Sequence, residues 1–207
     1  MSSIAPVHVV DDEPAVRAAL ERLLRSAGHT VCLYASAEDF LASANAGTVG
    51  CALLDLRLPG VSGLELQERL RERGCLVQVV FLSGHGDVAA GVQAMKKGAL
   101  DFLEKPVGDE ELLGAVAAAL ERDAGERRRR RDLDELSARV GTLTEREREV
   151  WLEVVSGRLN KQIARRLGVV ERTVKAHRAR VMEKLGAESV ADLVRVAERL
   201  GFSRDGG

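Results

Sequence analysis

Five short apolar runs recur between residues 7 and 104, and each is followed by a stretch with helical spacing. The runs are Val7-His8-Val9-Val10, Thr30 to Tyr34, Cys51 to Leu54, Val77 to Leu82 and Leu100 to Glu104. A short apolar run bounded by turn residues reads as a buried strand. After the first run, Pro14 suits a first helical turn, and Val16, Leu20, Leu23, Leu24 and Ala27 keep helical spacing up to Gly28. Ser36 with Asp39, and Ser62 with Glu65, form capping boxes that open two more helices. Asp87 is placed to cap a helix reaching Lys97-Gly98, and Glu110 to Leu120 reads as a fifth. Such alternation dictates a parallel sheet with helices on both faces. Five units of this length make a doubly wound, flavodoxin-like α/β domain. Its strand order is not legible, although right-handed crossovers leave few choices.

In such a sheet the carboxyl ends of the strands carry the site. Asp11 and Asp12 follow the first run, Asp55 ends the third, Ser83 follows the fourth and Lys105 the fifth. Three carboxylates in one pocket repel each other and need a cation, and oxygen ligands with room for water suit Mg²⁺. An ammonium, a hydroxyl and a divalent metal around one carboxylate form a pocket for a phosphoryl group. Asp55 is then the candidate nucleophile, forming an aspartyl phosphate. Either Asp11 or Asp12 is also placed to cap the following helix.

The motifs Val-Asp-Asp-Glu-Pro at 10–14, Asp-Leu-Arg-Leu-Pro-Gly at 55–60, Ser-Gly-His-Gly-Asp at 83–87 and Asp-Phe-Leu-Glu-Lys-Pro at 101–106 resemble a bacterial two-component response regulator receiver. The resemblance covers residues 4–122 and is strongest to the FixJ-like branch of the NarL/FixJ subgroup. It implies that Asp55 takes phosphate from the phosphohistidine of a sensor histidine kinase. It implies that Asp12, Asp55 and the backbone carbonyl of Arg57 bind Mg²⁺, with Asp11 joining through water, and that Lys105 pairs with the phosphate. Ser83 and Phe102 would form the switch pair, standing where Thr and Tyr are common. The switch would bias the helix 87–97 and the strand 100–104. Gly91 either loosens that helix or relieves tight packing against it. Arg57 and His85 flank the pocket.

The second half reads as all helical. Thr144 and Glu147 make a capping box over Val150, Trp151, Val154 and Val155. Asn160 is placed to cap a short helix with Ile163, Ala164 and Leu167, Gly168 makes a turn, and Glu171 to Leu185 follows. Ser189 caps a last helix. Two helices joined by a Gly-containing turn fit a helix-turn-helix. On the 171–185 helix Val174, Val181 and Leu185 share one face, while Arg172, Lys175, Ala176 and Ala179 point the other way. Two cations among small residues suit close entry into a major groove, Lys175 toward a guanine edge and the alanines toward thymine methyls.

Leu-Thr-Glu-Arg-Glu-Arg-Glu-Val at 143–150, Asn-Lys-Gln-Ile-Ala at 160–164 and Arg-Thr-Val-Lys-Ala-His at 172–177 resemble the LuxR-type (GerE) DNA-binding domain. That resemblance implies base readout around Arg172, Thr173, Lys175, Ala176 and Ala179, and phosphate contacts from Asn160, Lys161 and Arg178. It places a dimer surface on the last helix. Val170 stands where a capping Ser is usual, and Trp151 where Leu is usual; the spacing of Trp151 suits packing rather than base stacking.

Charge separates the halves. Residues 1–121 carry 10 Lys/Arg against 17 Asp/Glu, a net of −7, and residues 122–207 carry 21 against 15, a net of +6. An acidic and a basic half suit different partners, the basic one nucleic acid. Between them Glu126 to Asp132, with five consecutive arginines, has no apolar face and reads as a helical linker. Three cysteines without metal-ligand spacing suit free thiols in a reducing cytosol. No apolar run is long enough for a transmembrane helix, and the start lacks a signal-peptide pattern.

The expected organisation is a phosphoacceptor receiver at 1–122, a helical linker at 123–141 and a helix-turn-helix domain at 142–207. The expected function is a cytoplasmic transcription regulator, not an enzyme. Phosphorylation would drive homodimerisation and binding of double-stranded promoter DNA, with RNA polymerase as a further partner and activation favoured by the FixJ-like resemblance. A metal-dependent phosphatase and a DNA-binding protein indifferent to phosphate are the rival readings.

Overall fold

The computed structural model describes residues 5–84 and 87–202. The chain divides into two compact units, one up to Arg127 and one from Arg128 on. In the first, five strands alternate with helices. The strands are β1 (Val7–Val10), β2 (Val31–Tyr34), β3 (Cys51–Asp55), β4 (Gln78–Ser83) and β5 (Asp101–Glu104). The helices are α1 (Pro14–Ser26), α2 (Ala37–Ser43), α3 (Gly63–Glu72), α4 (Val88–Lys96) and the first part of α5 (Asp109–Gly141), whose remainder belongs to the second unit.

All strands are parallel, in the order β2-β1-β3-β4-β5, which is the flavodoxin-like arrangement. Val10 stands level with Tyr34 on one side and Leu54 on the other. Because successive side chains alternate in direction, each strand feeds two cores. Leu54 and Phe81 pack under Phe40, Leu66 and Leu70. Leu53, Val80 and Leu103 pack under Leu20 and Leu24 of α1 and Leu112, Val116 and Ala119 of α5.

The caps only partly follow expectation. Ser36 and Ser62 accept from Asp39 N and Glu65 N. Neither Asp11 nor Asp12 is the N-cap of α1. Glu13 holds that position, and Asp11 Oδ1 accepts from the Glu13 N–H at 2.9 Å. Asp87 is the N-cap of α4 but makes no side-chain capping bond, because its carboxylate is engaged elsewhere.

The fifth helix does not stop near Leu120. It continues to Gly141 through the arginine run. Arg and Glu favour helix, and Arg122–Glu126 and Asp123–Arg127 pair one turn apart. Asp123 is buried, with its Oδ2 2.8 Å from Arg127 Nε.

The second unit adds α6 (Glu145–Val155), α7 (Asn160–Leu167), α8 (Glu171–Leu185) and α9 (Val190–Arg199). Val140 and Leu136 of α5 join its core with Val150, Val154, Ile163, Val174, Val181 and Leu193. Trp151 is fully buried, donates from Nε1 to Leu193 O at 3.3 Å and meets Phe202 edge-on. Packing is its role, as its spacing predicts. Thr144 with Glu147, and Ser189 with Asp192, form complete capping boxes. The cysteines are free, and burial followed by the charge of Asp123 pushes the Cys51 thiol up to about 12. No helix among the described residues is long and apolar enough to cross a membrane.

Candidate functional site

Strand order reverses between β1 and β3, and a crevice opens beyond the carboxyl ends of strands at such a point. Asp11 and Asp12 follow β1, and Asp55 is the last residue of β3. Each presents an oxygen within 4.8 Å of the others, so the three carboxylates form one cluster. Asp11 and Asp55 are buried, while Asp12 is exposed. Gly63, the first residue of α3, lets that helix approach: a Cβ there would stand 2.4 Å from the Asp55 carbonyl oxygen.

Lys105, just beyond β5, reaches across the crevice. Its Nζ donates to Asp11 Oδ2 at 2.7 Å and to Asp55 Oδ2 at 2.6 Å. Burial pulls the ammonium down, but the hydrogen bonds and charges of the two carboxylates outweigh it and raise Lys105 above the ordinary lysine value. The remaining Asp55 oxygen, Oδ1, accepts from the Arg57 N–H at 2.8 Å. The cluster is thus a set of hard oxygen donors with one ammonium already among them, the donor chemistry that suits Mg²⁺.

Ser83 ends β4 fully buried. Its hydroxyl donates to Asp87 Oδ2. The guanidinium of Arg57 grips the same carboxylate, with Nε 3.2 Å from Oδ2 and Nη2 2.6 Å from Oδ1. Arg57 first, and then Ser83, hold the Asp87 carboxyl below its usual range. Sequence reasoning assigned Asp87 to capping and Arg57 to its backbone carbonyl, so it missed this bridge. Phe102, on β5, is half-buried against Gly91 of α4, where a Cβ would stand 3.2 Å from the ring. Gly91 therefore relieves tight packing. His85 lies outside the described residues.

In the second unit, α7, a turn at Gly168 and α8 form the helix-turn-helix. Val174, Val181 and Leu185 face inward as the helical wheel requires, and Arg172, Lys175, Ala176 and Ala179 are exposed. Thr173 and Arg178 are half-buried. Asn160 is not the cap of α7. Leu159 holds that position, its N–H bonded to Gln162 Oε1 at 2.8 Å, while Asn160 Oδ1 accepts from Arg178 Nη1 at 2.9 Å. Lys161 is exposed beside it. Val170, the uncapped start of α8, is 68% exposed.

Comparison with known proteins gives two family matches. Residues 7–117 match the response regulator receiver domain, and residues 141–197 match the bacterial regulatory proteins of the luxR family. The chain is 45% identical over 202 residues to nodulation protein W of Bradyrhizobium diazoefficiens, covering 98% of this chain and 89% of that protein. It is 45% identical to the transcriptional regulatory protein FixJ of Azorhizobium caulinodans, covering 98% of this chain and 96% of that protein. Among solved structures, the response regulator StyR matches with a TM-score of 0.86 at 42% identity, covering 95% of this chain and 100% of that one. Chains that combine the two are DNA-binding transcription regulators rather than enzymes. With one domain of each kind matched along the chain, it belongs to the two-component response regulators that join a receiver domain to a LuxR-type DNA-binding domain.

Proposed function

We propose that this regulator is switched by phosphorylation of Asp55 and acts in the cytoplasm as a transcriptional activator. Residues 1–122 serve as the phosphoacceptor, 142–207 bind promoter DNA, and 123–141 join them. The phosphoryl donor is the phosphohistidine of a sensor histidine kinase. One observation supports this above the rest: Lys105 bridges Asp11 and Asp55 inside a three-carboxylate cluster.

An Asp55 carboxylate oxygen attacks phosphorus; the P–O bond forms as the P–N bond breaks, and the imidazole nitrogen leaves with the electron pair. Lys105 neutralises charge on the phosphoryl oxygens, and the Ser83 hydroxyl donates to one of them. Asp12, Asp55 and the Arg57 carbonyl would hold Mg²⁺, with Asp11 acting through water. When bound, the metal supplies further charge neutralisation at the phosphoryl group.

Movement of Ser83 draws Phe102 inward and remodels the α4–β5 face. Val92 and Met95 are about half exposed there and line a hollow with Gly91 and Phe102. An exposed apolar patch of this kind suits a protein contact. A second phosphorylated copy covers it, and the dimer presents two α8 helices to a near-palindromic operator. Arg172, Thr173, Lys175, Ala176 and Ala179 read bases; Asn160, Lys161 and Arg178 hold phosphates; RNA polymerase is the downstream partner.

Sedimentation of the wild type and Asp55→Asn, with and without beryllofluoride and Mg²⁺, tests this. Beryllofluoride stands in for the phosphoryl group. A monomer-to-dimer shift in the wild type alone, with tighter promoter binding, is expected. No shift and no change in DNA binding overturns the reading.

A further inference from the structure

The Ser83 hydroxyl is already committed. It has one proton to donate; the Gly84 carbonyl lies 3.1 Å away, but the nearer and charged acceptor is the Asp87 carboxylate. Asp87 in turn is fixed by two bonds from Arg57, a residue of the segment after β3, so the acceptor is held where Ser83 reaches it. The arrangement has a local cost. Asp87 sits at the N-cap of α4, a position where its carboxylate would ordinarily accept from the first turn of the helix, and it makes no such bond. Its side chain is only 13% exposed, whereas that of Arg57 is 69% exposed. The carboxylate thus points inward, with the guanidinium over it.

We propose that Asp87, oriented by Arg57, is a positioning residue that withholds the Ser83 hydroxyl from the phosphoryl group and so sets the balance between resting and activated pocket. The inference rests on Asp55 being the phosphoacceptor. A hydroxyl cannot serve Asp87 and a phosphoryl oxygen at once. A bond to a carboxylate is charge-assisted and stronger than one to a neutral acceptor or to water. The pocket with Ser83 free is therefore a minority state, and the apparent affinity for a phosphoryl group falls by the fraction of chains in that state. Loss of Asp87 leaves the hydroxyl only neutral acceptors, the Gly84 carbonyl 3.1 Å away and water, which compete more weakly than a carboxylate, and raises that fraction. Removing a carboxylate near an anion site also strengthens binding through charge alone, but that effect does not need Ser83, and the two are separable on this ground.

The test is a fluorine NMR titration of the full chain with beryllofluoride at fixed Mg²⁺. Wild type, Asp87→Ala, Asp87→Asn, Ser83→Ala and the Ser83→Ala/Asp87→Ala double variant are compared, with Asp55→Asn as control. Both Asp87 variants should lower the half-saturating concentration, by about three- to tenfold for Ala, as loss of one charge-assisted bond requires. In the Ser83→Ala background, Asp87→Ala should keep only the gain that charge alone supplies and lose the rest, because the remainder acts through one bond between the two residues. An unchanged midpoint in both Asp87 variants, or a gain just as large without Ser83 as with it, overturns the inference while leaving the phosphoacceptor reading intact. Binding that survives Asp55→Asn overturns the phosphoacceptor reading, and this inference with it.

Discussion

Gly91 and Phe102 meet so closely that the missing Cβ of Gly91 would lie 3.2–3.3 Å from three atoms of the ring. In an exposed helix, Gly→Ala gains about 1 kcal/mol. Here that gain is opposed by displacement of the ring. Gly91→Ala alone should leave stability unchanged within about 0.5 kcal/mol, whereas in a Phe102→Ala background the same substitution should recover about 1 kcal/mol. Denaturant unfolding of the four chains, followed by circular dichroism, measures the difference. Equal effects in both backgrounds would mean the ring does not oppose the methyl.

Lys105 holds two buried carboxylates together. Lys105→Met leaves them facing each other without a counter-charge and should cost about 2 kcal/mol at neutral pH. Added Mg²⁺ should restore more stability to the variant than to the wild type, since it supplies the missing positive charge. The sign of the wild-type pH dependence follows from the raised Lys105 value. The contribution is complete below the ordinary lysine pKa of 10.5 and is lost as pH rises beyond it. Thermal unfolding at graded Mg²⁺ and pH checks both statements.

Glu147 is 2% exposed, and its Oε2 accepts from Lys184 Nζ at 2.6 Å and from Thr144 N at 2.9 Å. Lys184 first, and the Thr144 N–H next, bring its carboxyl down to about 2. A depressed carboxylate stabilises the fold above its unfolded pKa of 4.5, and the contribution disappears as pH falls from there toward 2. Glu147→Gln should cost about 2 kcal/mol at pH 7 and progressively less in acid. The single tryptophan, Trp151, is buried in the same core and reports this transition by fluorescence.

Lys175 and Lys161 are both exposed, but on helices with different proposed tasks. Lys175→Ala should cost about 1–3 kcal/mol on a selected operator and relax preference at one base pair. Lys161→Ala should weaken operator and scrambled duplex alike and reduce the salt slope by about 1. Fluorescence anisotropy at several salt concentrations separates the two patterns. A uniform loss for both variants would remove Lys175 from base readout.

The strands were legible because a parallel sheet is buried on both faces. Val7–Val10 and Cys51–Asp55 are buried at every position, and such runs stand out without periodicity. Asp11, Asp12, Asp55 and Lys105 were legible for a related reason: each follows a strand, and the fold brings those ends together. The order β2-β1-β3-β4-β5 was not, because which strands pair is decided by packing across the whole sheet. The Arg57–Asp87 bridge was hidden for want of local pattern, its partners being 30 residues apart and the Asp already suited to a capping role. Asn160 shows the converse error, where a good capping residue sits one position inside the helix and is occupied by Arg178. The helical character of 123–141 was legible, but its continuity with the fifth helix was not, because hydrophobic periodicity marks only helices that bury a face and the arginine run buries none.

That same helix decides where the chain can be divided. Leu112, Val116 and Ala119 complete one core, Leu136 and Val140 complete the other, and Arg128–Arg131 belong to neither. A DNA-binding fragment begun at residue 142, the start of the expected helix-turn-helix domain, would open a gap where Val140 sits. A receiver fragment ended at residue 122 would lose buried Asp123 and the Glu126 carboxylate that receives Gln78. Cutting within the arginines leaves each fragment its own interior.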